Sequence, residues 1–203
     1  MYEFNGSSQY ISLPSTVSHL SGNHTICFWI IPSVVTRGAN EVTLTTDWNA
    51  SYRNYLYRIY GSKLEALSGD GSSSQASTLV SATTLVVGTR YHVAFVRDEA
   101  TLRIYIGGVQ DASGSIGSYR GGNTSLSRNI GVDSLNSVAY SYGGKMEDFR
   151  MYSRALSAAE IQTIYRACGK DNNVYGLELR EPMDFLLTGK TVCDIGPKKT
   201  QSN

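Results

Sequence analysis

The side chains of this 203-residue chain that have the chemistry to act on a ligand are few and scattered. Two acids stand side by side, Glu147 and Asp148, in the run Gly144-Lys-Met-Glu-Asp-Phe-Arg-Met-Tyr152. Retaining glycoside hydrolysis needs two carboxylates about 5 Å apart on one face, whereas neighbours on an extended chain project to opposite faces. Three histidines, His19, His24 and His92, lie apart in sequence, and His92 falls inside a strand pattern that accounts for it. No nucleophile elbow, Cys/His pair or His-rich metal motif occurs. These absences argue against an enzyme, although a triad assembled from distant residues stays open.

The remaining chemistry is recognition. A pyranose ring presents apolar CH patches that stack on an exposed aromatic face while polar neighbours bind its hydroxyls. Trp48, between Asp47 and Asn49, has that setting, and Tyr52, Tyr55 and Tyr57 follow it. The competing reading is that the tyrosines, fourteen in all, bury their rings in sheets or interfaces and keep their hydroxyls wet.

Such residues need elements to hold them. In 144–152, Phe149 and Met151 fall on one face of an extended chain, with Asp148, Arg150 and Tyr152 on the other. The run continues through Ser153-Arg-Ala-Leu156 into Ser157-Ala-Ala-Glu-Ile-Gln-Thr-Ile-Tyr165. Ser157 and Glu160 have the spacing of a capping box, Leu156 and Ile161 that of a hydrophobic staple, and Ile161, Ile164 and Tyr165 form a stripe. One short helix near residues 157–166 is expected. Elsewhere the pattern is strand. Residues 25–31 are apolar on both faces, which predicts a central strand covered on each side. Residues 52–60 pair with 63–67 across Gly61-Ser62, and 91–97 turn through Asp98-Glu-Ala100 into 102–106. Residues 69–77 and 114–122 read as loops, and Asn129-Ile-Gly131 opens a short strand.

Composition agrees. Charged residues make up 17%, below the roughly 25% of ordinary globular proteins, while Ser, Thr, Gly and Tyr abound. A formal charge of +1 without a Lys/Arg block leaves no electrostatic footprint for nucleic acid or a membrane surface. No segment approaches the ~18 apolar residues of a membrane span, so membrane insertion is not expected. The N-terminus lacks a basic-then-apolar secretory pattern. The three cysteines, Cys27, Cys168 and Cys193, form no framework, which favours free thiols made in a reducing cytoplasm. Asn5, Asn23, Asn49 and Asn123 head Asn-x-Ser/Thr triplets that then read as chance.

Five segments in order carry a resemblance: Phe4-Asn-Gly-Ser-Ser-Gln-Tyr-Ile11; the 25–31 strand; Tyr91-His-Val-Ala-Phe-Val with Leu102-Arg-Ile-Tyr-Ile-Gly-Gly; Ile130-Gly131; and Glu147-Asp-Phe-Arg-Met-Tyr-Ser-Arg-Ala-Leu-Ser with its Ala-Glu-Ile close. Residues 1–168 resemble the laminin-G-like, concanavalin A-like domains. The resemblance implies an all-β fold, a jelly-roll sandwich of two antiparallel sheets with the one helix, and functions in carbohydrate or protein binding and in virion or cell-surface adhesion. Retaining hydrolases of that fold carry Glu-x-Asp-x-x-Glu on one strand, a pattern absent here. Two positions depart from the family: Gly107 stands where the hairpin end usually has Asp, and Tyr91 replaces the common Trp before His92. Structural Ca²⁺, where the family holds it, falls on Asn5, Gly6, Ser8, Glu147 and Asp148. Six to eight oxygens are needed, so this set is chemically sensible, though Asn5 supplies one charge less than the family's frequent Asp. The competing reading pairs Asp148 with an arginine and has Asn5 cap a turn.

Residues 1–169 are thus expected to form the sandwich, with 170–203 a C-terminal extension. Val174, Leu177, Leu179, Met183, Phe185, Leu186 and Leu187 are too apolar for a solvated linker. They either dock back on the sandwich or serve as an assembly arm. An adhesion-type sandwich with free thiols, an apolar arm and no secretory signal reads as a non-enzymatic virion surface protein. The expectation is a phage capsid decoration or cement subunit, made in the host cytoplasm and homo-oligomeric, with a capsid or other virion protein as partner and a host-surface glycan as second ligand. The alternative reading is a carbohydrate-binding module or lectin-like domain of a secreted protein.

Overall fold

The computed structural model describes residues 1–14, 17, 20, 22–36, 41–48, 53–69, 77–99, 101–116, 128–133, 138–168 and 170–181. Numbered in chain order, the strands form two antiparallel sheets. One runs β1 (Tyr2–Asn5), β12 (Gly143–Tyr152), β3 (His24–Pro32), β8 (Tyr91–Asp98), β9 (Thr101–Ile106), β10 (Val109–Ser115), with β13 (Leu177–Glu181) also on β12. The other runs β2 (Ile11–Ser12), β11 (Arg128–Ile130), β4 (Glu41–Trp48), β5 (Arg53–Tyr60), β6 (Lys63–Ser68), β7 (Ser77–Thr84). This is the expected two-sheet sandwich, and β5–β6 and β8–β9 are the two hairpins read from the pattern.

The sheets meet through Ile26, Phe28, Phe95, Phe149 and Met151 on one side and Val42, Leu44, Tyr57, Ile59 and Leu64 on the other. The back of the seven-stranded sheet carries a second apolar layer, in which the helix α1 (Ala158–Ala167) sets Ile161 and Ile164 against Cys27, Ala94, Val96 and Tyr152. Burying those two isoleucines is worth about 3–6 kcal/mol, which stabilises a ten-residue helix too short to persist alone. Its start is the expected capping box, with the Ser157 hydroxyl accepting from the Glu160 amide and the Glu160 carboxylate from the Ser157 amide. Covered on both faces, β3 is the central strand that its apolar run demands.

In β12 the alternation is interrupted. Glu147 pairs with Trp29 and Arg150 with Cys27, so Asp148 and Phe149 together face Phe28 as a bulge. Asp148 takes φ 48. The extra residue keeps Met146, Phe149 and Met151 all facing the core. It also turns the Asp148 carboxylate outward onto Arg150, so the expectation that Glu147 and Asp148 face opposite sides fails. Gly144, nearby at φ 131, has no room for a side chain, because a Cβ would lie 2.3 Å from the Ile31 carbonyl oxygen.

The C-terminal boundary moves as well. β1 and β13 occupy the same edge of β12 end to end, β1 along Gly143–Met146 and β13 along Phe149–Tyr152. Leu179 is fully buried in the core and Leu177 packs on the helix-side layer, so these two members of the expected assembly arm are parts of the sandwich. Val174 is exposed, and Met183, Phe185, Leu186 and Leu187 lie outside the described residues. The segment is docked by the buried Arg150, which donates to Asp148 and to both Asp171 oxygens at 2.7 Å, while Arg180 pairs with Asp148 at 2.8 Å. Burial works against the Arg150 charge, but the hydrogen bonds to Asp171 and Asp148 outweigh it and hold the group well above its ordinary range.

Candidate functional site

Trp48 closes β4 and is half-buried. Cross-strand register gives its surroundings, since Ser12, Asn129, Thr46, Leu56, Leu67 and Thr78 form one row across the six-stranded sheet. Alternation along β4 then places Thr46 and Trp48 on the outer face and Asp47 inward. A second outer row holds Thr43, Arg58, Glu65 and Val80, in which Arg58 pairs with Glu41 at 2.6 Å and with Glu65. The Thr43 hydroxyl is buried there without a hydrogen-bond partner among the described residues.

Beneath Trp48 the interior is polar, and these groups fix the end of the sandwich. Asn54, the extra residue opposite Asp47–Trp48, donates its amide to Asp47 at 3.0 Å. Arg97 crosses from the other sheet to donate to the Ser68 hydroxyl and to the Gly69 carbonyl at 3.1 Å. Arg128 donates to the carbonyls of Val17 and Pro14, at 2.5 and 3.0 Å. His24 lies 3.0 Å through Nδ1 from the Gly22 carbonyl and 2.6 Å through Nε2 from the Tyr57 hydroxyl. A carbonyl only accepts, so Nδ1 carries a proton, and in the neutral ring Tyr57 donates to Nε2. Burial pushes its pKa down to about 4, with the Gly22 bond opposing and Arg97 assisting.

On the outer face of the other sheet, Arg90 lies 3.7 Å over the Trp29 ring and pairs with Glu147 at 2.7 Å. His92 packs edge-on against Trp29, and its Nδ1 and the Trp29 Nε1 are buried without partners among the described residues. Burial and then the field of Arg150 push His92 down to about 4.

The expected stacking set does not survive intact. Tyr55 and Tyr57 have no exposed surface, stack on each other at 5.0 Å, and Tyr57 lies flat on Phe95 at 4.3 Å. They sit on the core-facing parity of β5 and present no face to a sugar. Tyr52 lies outside the described residues. The calcium set does not converge either. Asn5 sits opposite Gly143, four positions from Glu147 along β12, a separation of roughly 13 Å. Its carboxamide oxygen accepts from the amides of Ser7, Ser8 and Gln9, while its nitrogen donates to Ser8 Oγ. Glu147 and Asp148 face arginines. Turn capping and ion pairing therefore describe these residues, the geometry does not fit one cation, and no group of three or more His, Cys, Asp or Glu that could hold a metal occurs among the described residues. Among those residues, too, no helix is long and apolar enough to cross a membrane.

Sequence reasoning missed Arg97 and Arg128. The signal for Arg97 is its position two and four residues beyond Phe95 and Val93, on the core-facing parity of β8. It missed Tyr175 altogether, which is 78% exposed at the tip of the turn before β13.

A family model described as the concanavalin A-like lectin/glucanases superfamily matches residues 5–162. No curated protein sequence matches the chain. Among solved structures, a candidate carbohydrate-binding protein from Bacteroides ovatus superposes with a TM-score of 0.67 at 20% identity, over 90% of this chain and 51% of its own; the chain thus spans about half its length. CBM40 of the Ruminococcus gnavus IT-sialidase gives 0.66 at 16% identity, over 80% of this chain and 95% of its own. A SAP-like pentraxin from Limulus polyphemus gives 0.56 at 16% identity, over 85% and 89%. At these identities the likeness is one of fold.

Proposed function

The chain belongs to the concanavalin A-like lectin/glucanase superfamily, and we propose that it is a non-catalytic glycan-binding sandwich that takes its ligand at the Trp48 end of β4. The observation that carries this is the setting of Trp48, a half-buried tryptophan on the outer face at a strand end whose supporting backbone is fixed from inside by Asp47–Asn54, Arg97 and Arg128. A pre-set aromatic face stacks on the apolar side of a pyranose with little ordering cost. With Tyr55 and Tyr57 in the core, Trp48 is the stacking residue of this reading. The fold-level likeness to proteins named for carbohydrate binding supports it. The virion reading loses one of its supports, because Leu177 and Leu179 are consumed by the fold.

The test is a glycan array with the full chain, followed by titration on intrinsic fluorescence. The chain has two tryptophans, and Trp29 lies buried under Arg90, so a ligand-dependent change reports on Trp48. Trp48→Ala is expected to weaken binding at least tenfold, about 1.4 kcal/mol, with thermal unfolding unchanged. A wild type that binds no glycan, or a Trp48→Ala variant that binds at full strength, would sink the proposal.

A further inference from the structure

We infer that the turn at residues 173–176 is a second glycan contact, in which Tyr175 stacks on one face of a neutral pyranose. The inference rests on the glycan-binding reading but uses a segment that lies beyond the residues matched by the family model.

Tyr175 is 78% exposed, against 41% for Tyr10 and 42% for Tyr60, the next most exposed large aromatic residues among those described. A lone exposed tyrosine on a loose loop would mean little. This one sits on a turn tied down from below at successive residues. The Tyr152 hydroxyl donates to the Asn173 carbonyl at 3.0 Å, Arg154 Nε to the Tyr175 carbonyl at 2.8 Å, and the Ser153 amide to the Gly176 carbonyl at 2.8 Å. The Leu177 amide closes the turn on the Val174 carbonyl at 3.1 Å. Gly176 takes φ +71 against the Arg154 side chain, 3.0 Å from where a Cβ would stand. The ring is held on one side by the Arg154 guanidinium, 5.0 Å from its centroid, which leaves the opposite side to solvent. A rigid turn with an open aromatic tip binds without first having to be ordered.

The neighbouring groups select the ligand's charge. Arg154 pairs with Glu160 through Nη1 at 3.1 Å and Nη2 at 2.5 Å, so its charge is matched. An anionic sugar would meet the Glu160 carboxylate with no uncompensated cation on that pair. Hydroxyls suit the site better, because Asn173 brings an amide whose Oδ1 takes a long 3.4 Å bond from Arg154.

Topology puts this turn at the same end of the sandwich as Trp48. Tyr152 pairs with Thr25, next to the pairing of His24 with Arg97; Arg97 reaches across to Ser68, which pairs with Tyr55 opposite Asp47. An oligosaccharide is therefore the ligand class, with separate rings at the two aromatic faces.

The probes are immobilised cellohexaose, laminarihexaose, maltohexaose and mannohexaose, with sialyllactose as the anionic comparison, all against the full chain. Tyr175→Ala is expected to weaken hexasaccharide binding about tenfold, and Tyr175→Phe to retain it, with thermal unfolding unchanged in both. Full-strength binding by Tyr175→Ala while Trp48→Ala loses it overturns this inference and leaves the Trp48 reading standing. A wild type that binds none of the probes overturns both. A drop in molecular mass for Tyr175→Ala with glycan binding unchanged would assign the turn to contact with a second copy, and preference for sialyllactose would overturn the neutral ligand.

Discussion

Acidification should destabilise this protein through two histidines, and the size of the effect follows from where they sit. His24 and His92 are buried, and each has its pKa lowered from 6.5 to about 4, chiefly by desolvation. The unfolded chain therefore takes up protons first as the pH falls. Stability is fully present above pH 6.5 and is lost progressively down to pH 4. At pH 5 each group favours the unfolded state by about 2 kcal/mol, and the pair by about 4 kcal/mol, against total stabilities of roughly 5–15 kcal/mol for ordinary domains. The carboxylates with depressed values act lower: Glu160, held at about 2 mainly by Arg154, and Asp171, lowered by its bonds from Arg150 against the cost of burial, matter below pH 4.5. Urea unfolding followed by tryptophan fluorescence at pH 7.5 and 5.0 measures the difference. His24→Gln is expected to lower absolute stability but to halve the pH-dependent loss, and His24→Gln with His92→Gln to remove most of it. A wild-type loss below about 1 kcal/mol, or the same loss in the double variant, would refute the reasoning.

Two further perturbations test how the C-terminal segment is held. Arg150→Ala leaves the Asp148 and Asp171 carboxylates without their shared partner and is expected to cost about 3–5 kcal/mol, with hydrogen exchange accelerated across 171–181; uniform protection would contradict it. Truncation after Gly169 strips β13 from the 149–152 edge of β12 and should give self-association on size exclusion, whereas a stable monomer would show that the edge needs no cover.

The elements legible in the sequence were those with strong local signals. The capping box at Ser157 and Glu160 and the β8–β9 hairpin are set by contacts within a few residues, and both formed as read. The doubly apolar run of β3 announced a strand buried on each face. Tyr55 and Tyr57 were ambiguous because a tyrosine-rich strand reads alike from either face, and only the pairing with Thr45 and Asp47 fixes which side is the core. Asp148 lies with Arg150 opposite Phe149 as read, but Glu147 shares that outward side, because a bulge shifts parity by one residue without a glycine to mark it. β13 was legible only as an alternative: the apolar residues of the extension read as docking back on the sandwich or as an arm, and what decides for Leu177 and Leu179 is the pairing with 149–152, a tertiary contact without a local signal.

That edge explains why the exposed aromatic turn is where it is. β12 spans ten residues, and β1 covers only its first four, so the outgoing half would present free amides and carbonyls. β13 fills the gap, and the chain must turn back sharply between the helix and that strand to reach it. The bonds that enforce the turn come from Tyr152, Ser153 and Arg154, the residues that leave β12 for the helix. Arg154 is in turn held by Glu160, whose carboxylate also closes the capping box. Helix start, sheet edge and aromatic tip are therefore fixed by one continuous set of hydrogen bonds. Tyr175 points outward because its own backbone, at the apex of that set, is held inward.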